Sequence, residues 1–176
     1  MKIPKNAELK FKGKIFDVYQ WQQEMFDGTF ETFEMLKRSD TVIVIPIVDG
    51  KFLINEEEQP RKPKFYTFPC GRIDNNEKTE EAVKRELLEE TGYEAENLEL
   101  LMNFDPEHKI EWTVHVFIAK NCKKIAEQKL DAGEKITTKL VDFDELVKIM
   151  KEGNYWGSEL TMYMLNNKEK FKEILK

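Results

Sequence analysis

Short apolar runs separated by turn signals fill the first two-thirds of the chain and predict β-strands rather than helices. Residues 14–26 and 30–37 are rich in aromatic and β-forming residues, and the Asp27-Gly28 pair between them indicates a hairpin. A second Asp-Gly pair, at 49–50, separates TVIVIPIV from KFLIN and predicts another pair of strands. Further strands are predicted at 65–69, 98–104, 111–119 and 135–141. The first 13 residues are lysine-rich and are expected to form an arm.

Three segments carry the start and stop signals of helices. The first runs from Thr79, whose hydroxyl is a candidate cap, to Gly92, a residue type that favours helix termination. Two more helices are predicted at 143–152 and 158–174, with Ser158 as a candidate cap of the last. Strands outnumber helices, and two of the helices come late enough to flank a mixed sheet. The pattern therefore predicts the α/β class.

Length and composition indicate the number of domains, the kind of surface and the compartment of the protein. A chain of 176 residues is the size of one ordinary domain, and its net charge of −6 argues against a surface that neutralises nucleic-acid phosphates. The longest aliphatic run, VIVIPIV at 42–48, is too short to cross a bilayer, and the first 14 residues contain no secretion signal. Cys70 and Cys122 are too few for a disulfide framework. We therefore expect a cytoplasmic protein that binds neither nucleic acid nor membrane.

Three carboxylates crowd the last turns of the first predicted helix. Glu86, Glu89 and Glu90 lie where the helix dipole disfavours anions, and Glu86 and Glu90 are i, i+4 neighbours that repel each other. On a helical wheel they share about 100° of surface beside the apolar stripe of Val83 and Leu87. A bound divalent cation would turn this repulsion into attraction. A solvated acidic face is the alternative, and helical periodicity alone does not separate the two.

The wider spacing around this helix is G-x5-E-x7-R-E-L-x-E-E-x-G. Its fixed members are Gly71, Glu77, Arg85, Glu86, Leu87, Glu89, Glu90 and Gly92. This pattern resembles the signature of the Nudix hydrolase family at every glycine and charged position. Tyr93 departs mildly, since a bulky aliphatic residue is more usual there. The resemblance implies the Nudix fold, a mixed β-sheet sandwiched between helices (α/β/α), here with an N-terminal β-hairpin extension.

The resemblance also implies a metal site. Nudix enzymes hydrolyse a nucleoside diphosphate linked to another moiety, with Mg²⁺ or Mn²⁺ as cofactor. Carried over by motif, Glu86 and Glu90 are the expected chief metal ligands, and Glu89 is a further ligand or a catalytic helper. The backbone carbonyl of Cys70, just before the motif glycine, is expected to add a metal contact.

Supporting and catalytic acids follow from the same resemblance. Glu77 and Arg85 are expected to form an ion pair that fixes the motif loop against the helix, the alternative being a surface salt bridge of little worth. LDAGEKI at 130–136 resembles the loop that carries a general base in the ADP-ribose pyrophosphatase branch of the family. Glu134 is the candidate base, and Asp131 is the fallback.

Candidate substrate contacts lie outside the motif. By position, Arg61 is expected to meet a phosphate, and Arg38 to border the nucleobase. Trp21 and Tyr19, on the first strand, are candidates to stack on a purine, although aromatic residues in such strands are more often core or interface. Residues 104–107 lie where this branch carries a substrate-selecting loop.

The resemblance finally implies an assembly and an activity. In this branch the N-terminal strands exchange between subunits, so residues 1–37 are expected to form an arm and hairpin that dimerise. Residues 38–176 would form the hydrolase domain. The expected reaction is Mg²⁺-dependent hydrolysis of ADP-ribose to AMP and ribose 5-phosphate. Another nucleoside diphosphate sugar such as GDP-mannose, or a non-catalytic nucleotide-sensing module, are the alternatives.

Overall fold

The computed structural model describes residues 2–176, and Met1 of the predicted arm lies outside the described residues. The strands are β1 (Glu8–Lys12), β2 (Asp17–Glu24), β3 (Phe30–Lys37), β4 (Thr41–Val48), β5 (Lys51–Glu58), β6 (Phe65–Thr67), β7 (Cys70–Arg72), β8 (Tyr93–Glu94), β9 (Asn97–Phe104), β10 (Ile110–Glu111), β11 (Val114–Lys120), β12 (Lys123–Lys124) and β13 (Lys135–Val141). The helices are α1 (Thr79–Thr91), α2 (Phe143–Lys151), α3 (Ser158–Asn166) and α4 (Lys168–Ile174). Along residues 2–176, no helix is long and apolar enough to cross a membrane.

A mixed sheet forms the centre of the molecule. Its strands run in the order β13-β5-β4-β11-β9, with β6 paired to β5 and β7 paired to β4. Strand β11 lies parallel to β4, whereas the other pairs in this sheet are antiparallel. The pairing of β7 with β4 brings the start of the predicted motif onto the sheet beside α1.

Alternation along β4 shows how the sheet is sandwiched between helices. Every residue of this strand is buried, as expected for a strand covered on both faces. Val42 and Val44 pack toward α1, together with Val83 and Leu87 of that helix. The intervening isoleucines of β4 pack on the opposite side with side chains of α2, α3 and α4, among them Phe143, Leu146, Leu160, Met164 and Phe171. The chain therefore has the helix–sheet–helix layering that the sequence predicts.

A second sheet, β1-β2-β3-β10, stands at the N-terminal end of the molecule. The predicted hairpin is present, with β2 and β3 antiparallel and Gly28 at φ +83° in the turn. The predicted arm is partly wrong, because residues 8–12 pair with β2 and so extend the hairpin to three strands. The short strand β10 runs parallel to the end of β3 and joins this sheet to the rest of the chain.

Several element ends differ from the sequence prediction. Thr79 is the first helical residue rather than the cap, since the backbone N–H of Lys78 donates to the Glu81 carboxylate before the helix begins. Ser158 likewise follows the capping position, which Gly157 occupies. The single helix predicted over 158–174 is broken at Asn167. The strand predicted over 111–119 is interrupted at 112–113, where the Thr113 N–H donates to Asp40 instead of to a neighbouring strand.

Candidate active site

Gly71 allows the motif loop to approach helix α1 closely. A Cβ atom added at Gly71 would lie 2.0 Å from Oε1 of Glu86, a separation that real Cβ atoms essentially never show. The short strand β7 thus presses its backbone directly against a carboxylate of the helix. Any side chain at residue 71 would have to displace the Glu86 carboxylate, so the loop and this acid form one unit.

Arg85 ties the loop, the helix and the acids together. Its Nε and Nη2 donate to the two oxygens of Glu77 at 2.8 and 2.9 Å, a bidentate pair. Its Nη1 contacts Glu86 Oε1 at 2.6 Å, and Nη2 also donates to the backbone carbonyl of Arg72 at 2.9 Å. The hydrogen bond from Arg85 lowers the pKa of Glu77, and the Glu77 pair raises the pKa of Arg85. The side chains of Arg85 and Glu77 are only 29% and 14% exposed, so this pair is more than a loose surface salt bridge.

Glu90 is almost removed from water. It is 5% exposed, and its Oε2 accepts hydrogen bonds from Nδ2 of Asn55 at 2.7 Å and from the backbone N–H of Cys70 at 3.2 Å. Burial, followed by repulsion from Glu86, raises the pKa of Glu90 well above its usual value. Burial also raises the pKa of Glu86, although Arg85 opposes this shift. A cation beside these two acids would remove the electrostatic cost that raises both pKa values.

Two buried polar residues of strand β5 belong to this site and were missed by the sequence analysis. Asn55 is fully buried, and its Oδ1 has no hydrogen-bond partner within the described part of the chain. Glu57 is 5% exposed and accepts a hydrogen bond from Gln59 at 2.5 Å. Both lie on the strand face of Leu53, which packs toward α1. The two-residue alternation from Leu53 onward is the signal that could have found them.

Glu134 lies among the same acids. Burial raises the pKa of Glu134, and the charges of Glu57 and Glu89 raise it further. Glu134 in turn contributes to the raised pKa values of Glu86 and Glu90. The fallback candidate Asp131 is exposed, and its backbone N–H donates weakly to the Glu134 carboxylate at 3.4 Å. The structure therefore brings Glu134 to the carboxylate cluster, while its role as a base stays a prediction.

The donor set suits a hard divalent cation. Among residues 2–176, no three acidic, histidine or cysteine side chains already form a metal-binding cluster. In this structure the guanidinium of Arg85 pairs with Glu86. Mg²⁺ keeps several waters and combines one or two carboxylates with substrate phosphates, so a complete protein cage is not required. The buried carboxylates and the orphaned Asn55 oxygen fit such an ion.

A cavity of about 720 Å³ lies between the N-terminal sheet and the motif loop. Two of the predicted substrate residues, Tyr19 and Arg38, line it, together with Arg72 next to the motif glycine. The Arg38 guanidinium lies 4.5 Å from the ring centroid of Trp112, within the range of a cation–π contact. Its Nε atom is buried without a hydrogen-bond partner in the described chain, and burial lowers the pKa of Arg38.

The other two predicted substrate residues do not line this cavity. Trp21 is 8% exposed, packs its ring 5.4 Å from that of Phe33, and donates its indole N–H to Gln23. This burial leaves little of the ring for a base within one subunit. Arg61 is exposed in a turn after β5, with φ +66°. The substrate roles of Trp21 and Arg61 remain predictions.

The predicted substrate-selecting loop lines a second cavity of about 570 Å³. Phe104, Pro106 and Glu107 form one side of it. Trp112 and Trp156 contribute aromatic surface, and Trp156 is 47% exposed. Trp112 thus lines the second cavity, and its ring also contacts the guanidinium of Arg38, which lines the first cavity.

Comparison with known proteins agrees with this geometry. Residues 37–162 match the sequence profile of the NUDIX domain. The chain is 30% identical over 154 residues to an ADP-ribose pyrophosphatase of Bacillus subtilis (strain 168), covering 85% of this chain and 83% of that protein. It is 27% identical over 158 residues to the methanol dehydrogenase activator of Bacillus methanolicus, covering 87% and 85%. A crystal structure of an ADP compounds hydrolase shares the fold at a TM-score of 0.78 and 18% identity, covering 94% of this chain and 92% of that one. The predicted fold is thereby confirmed, and the chain belongs to the Nudix family of hydrolases.

Proposed function

We propose that the chain is a Mg²⁺-dependent pyrophosphohydrolase of nucleoside diphosphate sugars that prefers ADP-ribose and releases AMP and ribose 5-phosphate. The observation that carries this proposal is the buried pair Glu86 and Glu90, of which Glu86 lies against Gly71. The next residue, Arg72, lines a cavity of about 720 Å³. Two buried carboxylates that repel each other are costly unless a cation or a reaction makes use of them.

Glu86, Glu90 and Glu89, with the backbone carbonyl of Cys70, would hold the cation. Mg²⁺, or Mn²⁺ in its place, would neutralise the diphosphate and lower the pKa of a bound water. The geometry of the motif supports this set, because Arg85 holds Glu86 and Glu89 on one side of α1 while Cys70 and Asn55 orient Glu90.

Other side chains would position the substrate and move the proton. Glu134, half-buried and with a pKa raised by its surroundings, suits a general base that accepts a proton from the attacking water. Tyr19 and Arg38 would contact the nucleoside from the wall of the cavity. Arg61 would meet a phosphate when the substrate extends toward the turn after β5.

The N-terminal sheet supports a homodimer. Five exposed large apolar side chains lie within the first 30 residues, namely Leu9, Phe11, Ile15, Phe26 and Phe30. An apolar surface of this kind is typical of a protein–protein interface. We propose that a second copy of the chain covers it, as the resemblance to strand-exchanging relatives suggests.

The name of one similar protein supports ADP-ribose, rather than another nucleoside diphosphate sugar, as the proposed substrate. The protein of Bacillus subtilis that resembles this chain over 83% of its length is named an ADP-ribose pyrophosphatase. A nucleotide-sensing role without catalysis is disfavoured because every charged position of the motif is intact in this chain.

Product analysis tests the proposed function. ADP-ribose is incubated with the purified protein and Mg²⁺, and the products are separated by ion-exchange chromatography. We expect equimolar AMP and ribose 5-phosphate, and no reaction when EDTA replaces the metal. Intact ADP-ribose after incubation with Mg²⁺ and with Mn²⁺ would rule out the proposed reaction.

A further inference from the structure

The cavity between the N-terminal sheet and the motif loop is unusually basic for this protein. Its charged lining consists of six basic residues, Lys2, Lys12, Lys14, Lys37, Arg38 and Arg72, and four acidic residues, Asp17, Asp40, Asp74 and Glu111. The excess of two positive charges stands in a chain whose net charge is −6. An excess of positive charge in a cleft raises the local concentration of anionic ligands.

Protein partners already engage two of these basic residues. Lys37 pairs with Glu111 at 2.5 Å, and Arg72 pairs with Asp74 at 2.9 Å. A third acid, Asp40, accepts a hydrogen bond from the Thr113 backbone and lies 3.5 Å from a ring nitrogen of a histidine. These three acids therefore have other partners, whereas the fourth acid, Asp17, lies opposite Lys12 in the pairing of β1 with β2 without an ion pair between them.

Besides the exposed Lys2, three cations of the lining remain. Lys12 and Lys14, on either side of the turn after β1, form no ion pair within residues 2–176. Arg38 is half-buried, and its Nε atom has no acceptor anywhere in that part of the chain. A buried guanidinium donor without an acceptor is costly, and an anionic ligand would satisfy it.

The cavity wall adjoins the motif through Arg72. Arg72 lines it and directly follows Gly71, which lies against Glu86. The carbonyl of Arg72 accepts a hydrogen bond from Arg85, so the cavity wall and the carboxylate helix are joined by one backbone segment. A substrate bound with its diphosphate at the carboxylates would pass Arg72 to enter the basic cavity.

We propose that the basic cavity binds a third phosphate on the substrate, outside the diphosphate that is cleaved. The inference rests on the proposed function and narrows it: the enzyme favours nucleoside diphosphate derivatives that carry a further phosphomonoester on the part entering the cavity. Lys12, Lys14 and Arg38 supply the charge that recognises this group. A neutral sugar or nucleoside would leave all three without an anion.

Matched substrates test this proposal. ADP-ribose 2′-phosphate and ADP-ribose 1″-phosphate each add one phosphate to ADP-ribose, on the adenosine half and on the distal ribose respectively. At low ionic strength we expect kcat/KM for at least one of them to exceed that for ADP-ribose by about tenfold, mainly through a lower KM. The preferred isomer identifies the half of the substrate that enters the cavity. Added salt should reduce the preference, because it screens exposed charges.

Paired variants assign the preference to the cavity. In the double variant Lys12→Gln/Lys14→Gln, the ratio of kcat/KM for the preferred isomer to that for ADP-ribose should fall to about twofold or less. The control Lys151→Gln/Lys168→Gln removes the same charge from exposed positions outside the cavity and should keep the ratio of the unmodified protein. A ratio that the cavity variant leaves unchanged would overturn the proposal.

The remaining outcomes distinguish the proposed third-phosphate site from the proposed function and from a site for free phosphate. Hydrolysis of ADP-ribose without preference for either phosphorylated compound would overturn the inference and leave the proposed function standing. Failure to hydrolyse all three compounds would overturn the proposed function itself. A change in ADP-ribose turnover caused by millimolar inorganic phosphate, without preference for a phosphorylated substrate, would make the cavity a site for a free anion and would overturn the substrate proposal.

Discussion

At the scale of residues, Glu90 is both a buried acid that is unfavourable for stability and a candidate metal ligand. It is buried beside a second acid, and its carboxylate is held by the amide of Asn55 and the N–H of Cys70. The sequence motif identifies Glu90 as a candidate ligand. It does not identify Asn55, because this contact joins β5 to α1 across 35 positions and follows no local pattern. Local periodicity predicts which face of a strand or helix a residue lies on. It does not predict the hydrogen-bond partner of that residue, which depends on how distant elements pack.

The pH dependence of stability tests the environment of Glu90. Burial and Glu86 raise its pKa in the folded state above the ordinary value of 4.5. The folded state therefore holds a proton that the unfolded state releases, and this residue lowers stability increasingly as pH rises above about 4.5. In EDTA at pH 8, Glu90→Gln should melt at a higher temperature than the unmodified protein. The difference should vanish near pH 4, as checked by thermal denaturation followed by circular dichroism.

The effect of Mg²⁺ on the melting temperatures tests whether Glu90 is a metal ligand. If Mg²⁺ binds the folded protein at the proposed site, it should raise the melting temperature of the unmodified chain, but not that of Glu90→Gln. Glu80→Gln serves as the control, since Glu80 is exposed in the first turn of the same helix. A Glu90→Gln variant that is less stable than the unmodified protein in EDTA at pH 8 would contradict the electrostatic account.

Asn55 is expected to position Glu90 for metal binding. Replacing it with leucine removes the amide that donates at 2.7 Å while keeping a side chain of similar size. We expect Mg²⁺ affinity, measured by isothermal titration calorimetry, to fall about tenfold, in the range that loss of a partner of a metal ligand usually costs. Asn97→Leu, at an exposed position, is the matched control. Unchanged Mg²⁺ affinity in Asn55→Leu would show that the hydrogen bond plays no part in holding Glu90.

At the scale of elements, the glycines of turns and of a helix end allowed strand and helix ends to be predicted from the sequence. Both Asp-Gly pairs mark real turns, since Gly28 and Gly50 have φ +83° and +72°. Helix α1 ends at Gly92 as predicted, with φ +77°. The breaks at Asn167 and at 112–113 escaped prediction for different reasons. No glycine or proline marks the first, and the second depends on a hydrogen bond to Asp40, 73 positions away.

Gly92 is expected to be essential for the end of α1. Its N–H donates to the carbonyl of Leu88, and a Cβ atom there would lie 2.1 Å from the carbonyl oxygen of Ala126. Gly92→Ala adds this overlap to the cost of a left-handed backbone, so we expect a loss of about 2 kcal/mol or more in the free energy of unfolding. Urea denaturation measures it. Gly133→Ala, where a Cβ would meet nothing within 4 Å, should be nearly neutral. Equal stabilities of the two variants would contradict this reading of the helix terminus.

At the scale of the whole molecule, the N-terminal sheet is the surface that we propose for dimerisation. Phe26 is fully exposed at the hairpin tip, and Phe30 is 62% exposed at the start of β3. We expect the protein to sediment at twice its 20.9 kDa mass, and Phe26→Ser/Phe30→Ser to shift it toward the monomer. Leu100→Ser, which removes an exposed leucine from β9, should leave the dimer intact. A monomer at micromolar concentration would exclude the proposed dimer.

The substrate panel tests the central claim that the carboxylate helix hydrolyses nucleoside diphosphate sugars. The measurement is kcat/KM for ADP-ribose, GDP-mannose, UDP-glucose, NADH and diadenosine polyphosphates, with and without Mg²⁺, for the unmodified protein and for Glu90→Gln. We expect the highest value for AMP release from ADP-ribose with Mg²⁺. Glu90→Gln should lower it by roughly a thousandfold, since a metal supplies several kcal/mol of transition-state stabilisation. Turnover that survives this substitution, or no turnover of any compound with Mg²⁺ or Mn²⁺, would contradict the account.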